Sequence, residues 1–454
     1  MRKTMRLKNL YFLILSLVSI AIFAASASTA AQEEQAIDVA LAQKYFQEAE
    51  AICKQDNGKL WGHPLCGPMI FFEPKTRMLV ANRSDMEGRL TKKGDVFVGR
   101  LPDEENAANT ATTWAGVRWS MILWWALAED RYDRDRLMIH ESFHRIQDEI
   151  GLPMSNPSNN HLDSMPGRIW LQLEWRALRH ALMNQGAARR NAATDALIFR
   201  LYRRTLFPQA AADERALEMN EGLAEYTGVK LSGRTATELH AFFAKRLEQV
   251  TDRPSFIRSF AYESGPAYGL LLDEAHLKWR QHLKPTDDFG FLLQKALALK
   301  LPKDLQVEAE KRSNRYDGEQ LRAAETRREN ERLARLAGYR AKLVDGPVLI
   351  LPLTTEVNYS FNPNNLVPLD NLGTIYPNVR ITDAWGILNV TGGALMIREN
   401  NRPSRLYVSI PVDLNARPLQ GEGWTLQLND GWTFAPAERK GDHLLKKNEA
   451  PTGK

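Results

Sequence analysis

Leu137-Met138-Ile139-His140-Glu141-Ser142-Phe143-His144-Arg145-Ile146-Gln147 is the stretch from which the rest of the chain can be placed. At about 100° per residue, Ile139, Phe143, Ile146 and Ile150 fall on one narrow apolar stripe, the pattern of an amphipathic helix. His140 and His144 stand one turn apart, roughly 110° around from that stripe by the same geometry. The helix can therefore bury its apolar side while both imidazoles point into a cleft. Glu141 lies beside them and cannot comfortably reach as a third ligand from the same turn. His140-Glu141-x-x-His144 is the pattern of a zinc site on a helix, with Glu141 placed to take a proton from a water that the metal activates. Catalytic zinc asks for three protein ligands in tetrahedral array and one open position, so one ligand must come from elsewhere. The plain alternative is two histidines on a solvated face. A chance match of this pattern in such a chain is on the order of a one-percent event at ordinary residue frequencies.

Working back to the N-terminus, Arg2, Lys3, Arg6 and Lys8 precede an apolar run from Leu10 to Ala25 and then small residues through Ala31. This is the layout of a secretory signal peptide over residues 1–31, cleaved between Ala27 and Ala31. An uncleaved membrane anchor is the competing reading. The expected location is the periplasm or the exterior, with no stable membrane insertion once the segment is removed. Losing those four basic residues and no acid takes the formal net charge from +5 to +1. With neither a basic patch interleaved with aromatics nor a Gly-rich phosphate loop, the composition gives no reason to expect nucleic acid as a partner. The two cysteines, Cys53 and Cys66, flank a turn-rich loop in an exported chain. A disulfide between them is expected, worth about 3 kcal/mol on the chain-entropy model; two free thiols are the alternative.

The chain divides by pattern. Residues 32–150 read as an α+β part: a helix over 36–54, short strands at 69–72, 76–81 and 96–99, and a strand over 117–127 carrying Trp119, Trp124 and Trp125. A sheet edge beside the histidine helix would let an extended peptide add a strand through its backbone. Residues 151–344 read as helical, with segments near 168–184, 192–205, 213–230, 235–250, 261–282 and 289–299 and a charged stretch over 302–343. Residues 345–447 alternate short apolar runs with Gly, Pro and Asn, as a small all-β domain does. Asp430-Gly431 could turn a hairpin there between 424–428 and 432–434. Residues 448–454 read as a disordered tail.

Two carboxylates compete for the third ligand position. Glu174 follows His144 by 30 positions, and Glu221 follows it by 77. On a helix over 213–230, Glu214, Glu218, Glu221 and Glu225 would share one face. Stacked acids repel by a few tenths of a kcal/mol per pair, and nearby cations relieve that. A metal is one such cation; plain solvation is the other resolution, expected above all for Glu214 and Glu218.

Asn220-Glu221-Gly222-x-x-Glu225 resembles the second motif of the gluzincin metallopeptidases, the superfamily of thermolysin-like and aminopeptidase-N-like enzymes. Tyr262-Glu263-Ser264-Gly265 is similar to the Tyr-Glu-x-Gly segment of the aminopeptidase-N-like group. The resemblance implies that Glu221 is the third ligand for Zn2+. It further implies that Glu225 orients a ligating histidine and that the Tyr262 hydroxyl stabilises the oxyanion. The chain departs from the family in two ways. The long gap to Glu221 implies a helical pair, at about 150–210, that loops out. No Gly-x-Met-Glu-Asn segment is present, which leaves endo- against exopeptidase open.

The expectation is an exported zinc metallopeptidase acting on peptides or proteins. Its fold class would be α+β, with a zincin-like, mostly helical catalytic domain and an N-terminal mixed sheet, followed by the small β domain. His140, His144 and Glu221 would hold zinc and Glu141 would be the general base. Two other readings stand beside it: a non-catalytic cell-envelope binding protein on the same scaffold, and a zinc amidohydrolase of non-peptide substrates.

Overall fold

Asp130 starts the central helix, Arg131–Ile146, by accepting a hydrogen bond from the backbone N–H of Asp133, and from Met138 onward every residue of the helix is buried. In a computed structural model the described residues are 36–102, 108–275, 278–355, 357–361, 366–369, 371–400 and 402–448. The signal segment expected at 1–31 and all but Asn448 of the tail lie outside them. The architecture mixes helices and sheets, with one sheet near the N-terminus and two near the C-terminus.

The N-terminal part opens with helix α1 (Val39–Asp56). Six strands follow: β1 (Met69–Phe72), β2 (Met78–Ala81), β3 (Thr91–Lys93), β4 (Val96–Arg100), β5 (Thr110–Trp114) and β6 (Val117–Leu123). They form one sheet in the order β3-β4-β2-β1-β6-β5, with only the β1–β6 pair parallel. Strand β6 is therefore internal, and β3 and β5 are the end strands among the described residues. The strand expected over 117–127 stops at Leu123, where Trp124–Ala126 turns as a 3-10 segment, leaving Trp119 buried and Trp125 exposed. The central helix, α2 (Arg131–Ile146), lies across this sheet. Met138 joins Phe46, Phe71 and Trp124 on the sheet side, while Ile139, Phe143 and Ile146 enter the helical core.

That core is built by α3 (Met165–Met183), α4 (Gly186–Leu206), α5 (Ala210–Leu217), α6 (Leu223–Leu231), α7 (Ala236–Gln249), α8 (Ser259–Ala275), α9 (Phe289–Ala296), α10 (Leu305–Ser313) and α11 (Gly318–Arg340). The pair expected to loop out does not. Helices α3 and α4 pack on each other, and α3 also packs on α7 and α8, through Trp170, Leu173, Trp175, Leu178 and Phe199. The single helix expected over 213–230 is interrupted by a π turn, Glu218–Gly222, between α5 and α6. An i→i+5 turn unwinds the helix, so its acids no longer fall on one line.

Beyond α11 the chain forms two mostly antiparallel sheets, of seven and five strands. Their facing residues, among them Leu349, Met396 and Leu406 against Ile381, Leu388 and Leu426, share one core. Asp430-Gly431 does not close a hairpin. Trp424–Leu428 belongs to the five-stranded sheet and Trp432–Pro436 to the seven-stranded one, so this turn, with Gly431 at φ 83°, carries the chain from one sheet to the other.

Candidate metal centre

His140 and His144 project from α2 with their Nε2 atoms 3.2 Å apart. The π turn brings Glu221 Oε2 to 3.6 Å from His140 Nε2 and 3.5 Å from His144 Nε2. A tetrahedral ion with bonds of about 2.0–2.2 Å needs ligand atoms about 3.3–3.6 Å apart. The two distances to Glu221 fall in that range and the 3.2 Å between the imidazoles lies just below it, so the three side chains form a group that could hold a metal ion.

Each ligand is held from behind. His140 Nδ1 faces Glu225 Oε2 at 3.1 Å, and His144 Nδ1 faces Gln147 Oε1 at 2.9 Å. An acceptor at each Nδ1 fixes the tautomer that leaves Nε2 with its lone pair toward the cleft. Glu225 is fully buried and accepts from Arg136 at 2.8 and 2.9 Å and from Arg246 at 2.6 Å. Burial alone would raise its pKa, but the two guanidinium groups outweigh that and hold it well below the usual carboxylate range. Glu221 also accepts from Arg258 at 2.9 Å, on its second oxygen. Its buried carboxyl is kept ionised chiefly by His140 and His144. His140 feels the converse: burial opposes its charge, yet the hydrogen bonds to Glu221 and Glu225 push its pKa up to about 10. The site is therefore built to hold positive charge between the two imidazoles and the two carboxylates.

Glu141 differs from the other acids of the site. It is 3% exposed, and among the described residues its Oε2 has no hydrogen-bond partner. Burial raises its pKa, with His140 and His144 opposing. It lines a cleft of about 350 Å³ together with the three ligands, Thr110, Met154, Asn156, Arg258 and Tyr262. A buried carboxylate oxygen without a partner is costly unless something from the cleft meets it. The Tyr262 ring stacks on His140, with centroids 5.7 Å apart and planes at 3°, and its hydroxyl donates to Glu221 Oε2 at 2.5 Å. Burial first, and then the charge of Glu221, raises the phenol's pKa, so it stays a neutral donor.

Glu174, the competing third ligand, is not in this group. It is fully buried and accepts from Arg200 at 3.1 Å, Arg203 at 2.5 Å and Tyr268 at 2.8 Å. Glu214 and Glu218 are not solvated either. Glu214 accepts from Arg203 at 2.7 Å and Arg204 at 2.8 Å and faces His161 at 2.9 Å, while Glu218 accepts from Arg200 at 2.9 Å. Arginines from α4 thus neutralise three acids around the turn that carries Glu221. Cys53 and Cys66, expected to form a disulfide, lie within hydrogen-bond reach of each other. Both residues are free thiols; Cys53 is buried, and the exposed Cys66 turns its Sγ to the carbonyl of Glu50 at 3.9 Å.

The sequence reading had no role for Gln147, Arg136, Arg246, Arg258 or strand β5. Gln147 had a readable signal, since it lies three residues after His144 on the same helical face. The others act across long sequence distances. Comparison with family models, curated proteins and solved structures finds no match for this chain.

Proposed function

We propose that the protein is a zinc-dependent hydrolase of peptide bonds, of gluzincin type and on a zincin-like scaffold, acting outside the cytoplasm. The observation that carries this reading is the spacing of three ligand atoms on tetrahedral edges beside Glu141, a buried carboxylate with a free oxygen. His140, His144 and Glu221 would hold the ion with two imidazole nitrogens and one carboxylate oxygen, a donor set suited to zinc. When bound, zinc supplies Lewis acidity, which lowers the pKa of water and polarises a carbonyl.

The chain's own residues do the rest. Glu141 accepts the proton of the attacking water on its free oxygen and passes it to the leaving amine. Tyr262, kept neutral by burial, would turn its one O–H from Glu221 Oε2, which the metal takes up, to the oxyanion that develops on the substrate. Among the described residues strand β5 pairs with β6 alone and stands at the end of its sheet, and Thr110 lines the cleft. An extended peptide can pair with that edge and cross the ligands. Export rests on the pattern of residues 1–31. Metal analysis of purified protein together with a peptide-library digest tests the reading. One zinc per chain, with cleavage abolished by a chelator and restored by zinc, is expected; zinc-loaded protein that cleaves nothing contradicts it.

A further inference from the structure

Arg258 lies at the junction of two cavities. It lines the 350 Å³ cleft that holds the candidate ligands and also a neighbouring cavity of about 400 Å³, so one side chain borders both. Its side chain is half exposed, and it donates to Glu221 Oε1 at 2.9 Å and to Asn156 Oδ1 at 3.2 Å. Glu221 is its one carboxylate partner among the described residues, and that carboxylate is also the candidate metal ligand. A metal on Oε2 draws on the same negative charge, which leaves Arg258 short of a counter-ion at the mouth of the cleft.

The second cavity adds another guanidinium. Arg253, 44% exposed in its side chain, lines it five residues before Arg258. Its carboxylate partner, Glu263 at 3.1 Å, is fully buried and is held more closely by Arg246, at 2.8 and 2.9 Å. Arg246 in turn shares Glu225 with Arg136. Three arginines therefore divide two buried carboxylates, and the one left facing the cavity is Arg253. Asp163, the acid on that wall, accepts from Ser255 Oγ at 2.7 Å and the Phe256 N–H at 2.8 Å, and its charge is offset by Arg328.

From this arrangement we infer that the groove selects an acidic peptide, with carboxylate side chains to one side of the scissile bond gripped by Arg258 and Arg253. The inference rests on the peptidase reading for the position of the scissile bond, and on the two cavities for its charge preference. A guanidinium meets a carboxylate through two parallel N–H donors, and Arg253 and Arg258 each use only part of their donor set on the protein's own groups.

Binding is measured separately from cleavage. The probes are a fluorescent hexapeptide carrying two adjacent glutamates and its diglutamine counterpart, each titrated against zinc-loaded Glu141→Gln protein. The diglutamate peptide is expected to bind at least about tenfold tighter, with the difference shrinking in 1 M salt, where screening acts over about 3 Å. Arg253→Gln, which touches no candidate ligand, should bring the ratio to within about threefold. Arg258→Gln should do the same, with zinc content measured in parallel. Equal binding of the two peptides, or an unchanged ratio in Arg253→Gln, overturns the inference even if wild-type protein cleaves peptides. Acid-selective binding by a zinc-loaded wild type that cleaves nothing across a peptide library overturns the peptidase reading and leaves the charge preference standing.

Discussion

Gly222 and Gly265 meet backbone to backbone: a Cβ built on Gly265 would lie 2.5 Å from the Cα of Gly222. Gly222 closes the π turn that carries Glu221, and Gly265 lies three residues after Tyr262 on α8. This contact lets α8 approach the turn closely enough for the Tyr262 hydroxyl to reach Glu221. The two glycines are thus part of how the site is assembled, although neither offers a side chain to it.

Gly265→Ala must push α8 and the π turn apart, because the three atoms nearest the added carbon are all backbone atoms of Gly222. A destabilisation of about 1–3 kcal/mol is expected from such overpacking, with zinc affinity lowered about tenfold or more as Glu221 shifts. Gly338→Ala, in a helix with nothing within 4 Å of the added carbon, is the control and should be neutral or slightly stabilising. Denaturant melts and competitive zinc titrations measure both. Wild-type zinc affinity in Gly265→Ala would show that the contact does not position Glu221.

Glu174 and Glu221 should separate cleanly. Glu221→Gln removes a ligand charge and should lose zinc while the fold holds. Glu174→Gln should keep zinc and lose stability, by about 3 kcal/mol or more, because it weakens the pairing of Arg200 and Arg203 inside the core. Zinc stoichiometry and melting curves on the two variants decide it. The opposite pattern would make Glu174 the ligand.

How much of this was legible in the sequence follows from range. His140, Glu141 and His144 lie within one helical turn and a residue, so period and motif alone placed them. Glu221 and Glu225 needed the motif around Gly222 and a resemblance, since nothing local chooses between Glu221 and Glu174. The arginines could not be read. Arg136 meets Glu225 across 89 positions, and Arg200 meets Glu174 from a neighbouring helix. Helical period says which residues share a face, not which element covers it, and so Glu214 and Glu218 read as solvated acids. Strand β5, Thr-Ala-Thr-Thr-Trp, is a polar edge with little alternation and gave no signal. Asp430-Gly431 was recognisable as a turn, but the sheets it joins were not.

The arginine cluster makes the fold sensitive to acid. Burial would raise the pKa of Glu214, but Arg203 and Arg204 hold it well below its ordinary 4.5. A carboxyl with a depressed folded pKa contributes stability that is full above its unfolded pKa and is lost as pH falls toward the folded one. Unfolding free energy should therefore drop as pH is lowered below about 4.5. Glu214→Gln should be less stable at pH 7 and show a shallower fall between pH 5 and pH 3. Parallel pH profiles for variant and wild type would remove Glu214 from the account.

Tyr262→Phe keeps the ring on His140 and removes only the hydroxyl. Zinc should stay bound, and turnover should fall roughly 10²-fold if the O–H meets the oxyanion. Single-turnover kinetics on zinc-loaded protein measure the chemical step. An unchanged rate would reduce Tyr262 to packing and to its bond with Glu221.

The most direct test of the proposed chemistry is Glu141→Gln assayed for zinc and for peptide cleavage in the same preparation. The amide has nearly the shape of the carboxylate, and Glu141 is not a ligand, so one zinc per chain should remain. General-base catalysis is worth about 10²–10⁴-fold, and turnover should fall at least that far. Full zinc occupancy with cleavage lost is the predicted result; Glu141→Gln protein that cleaves as fast as wild type contradicts it.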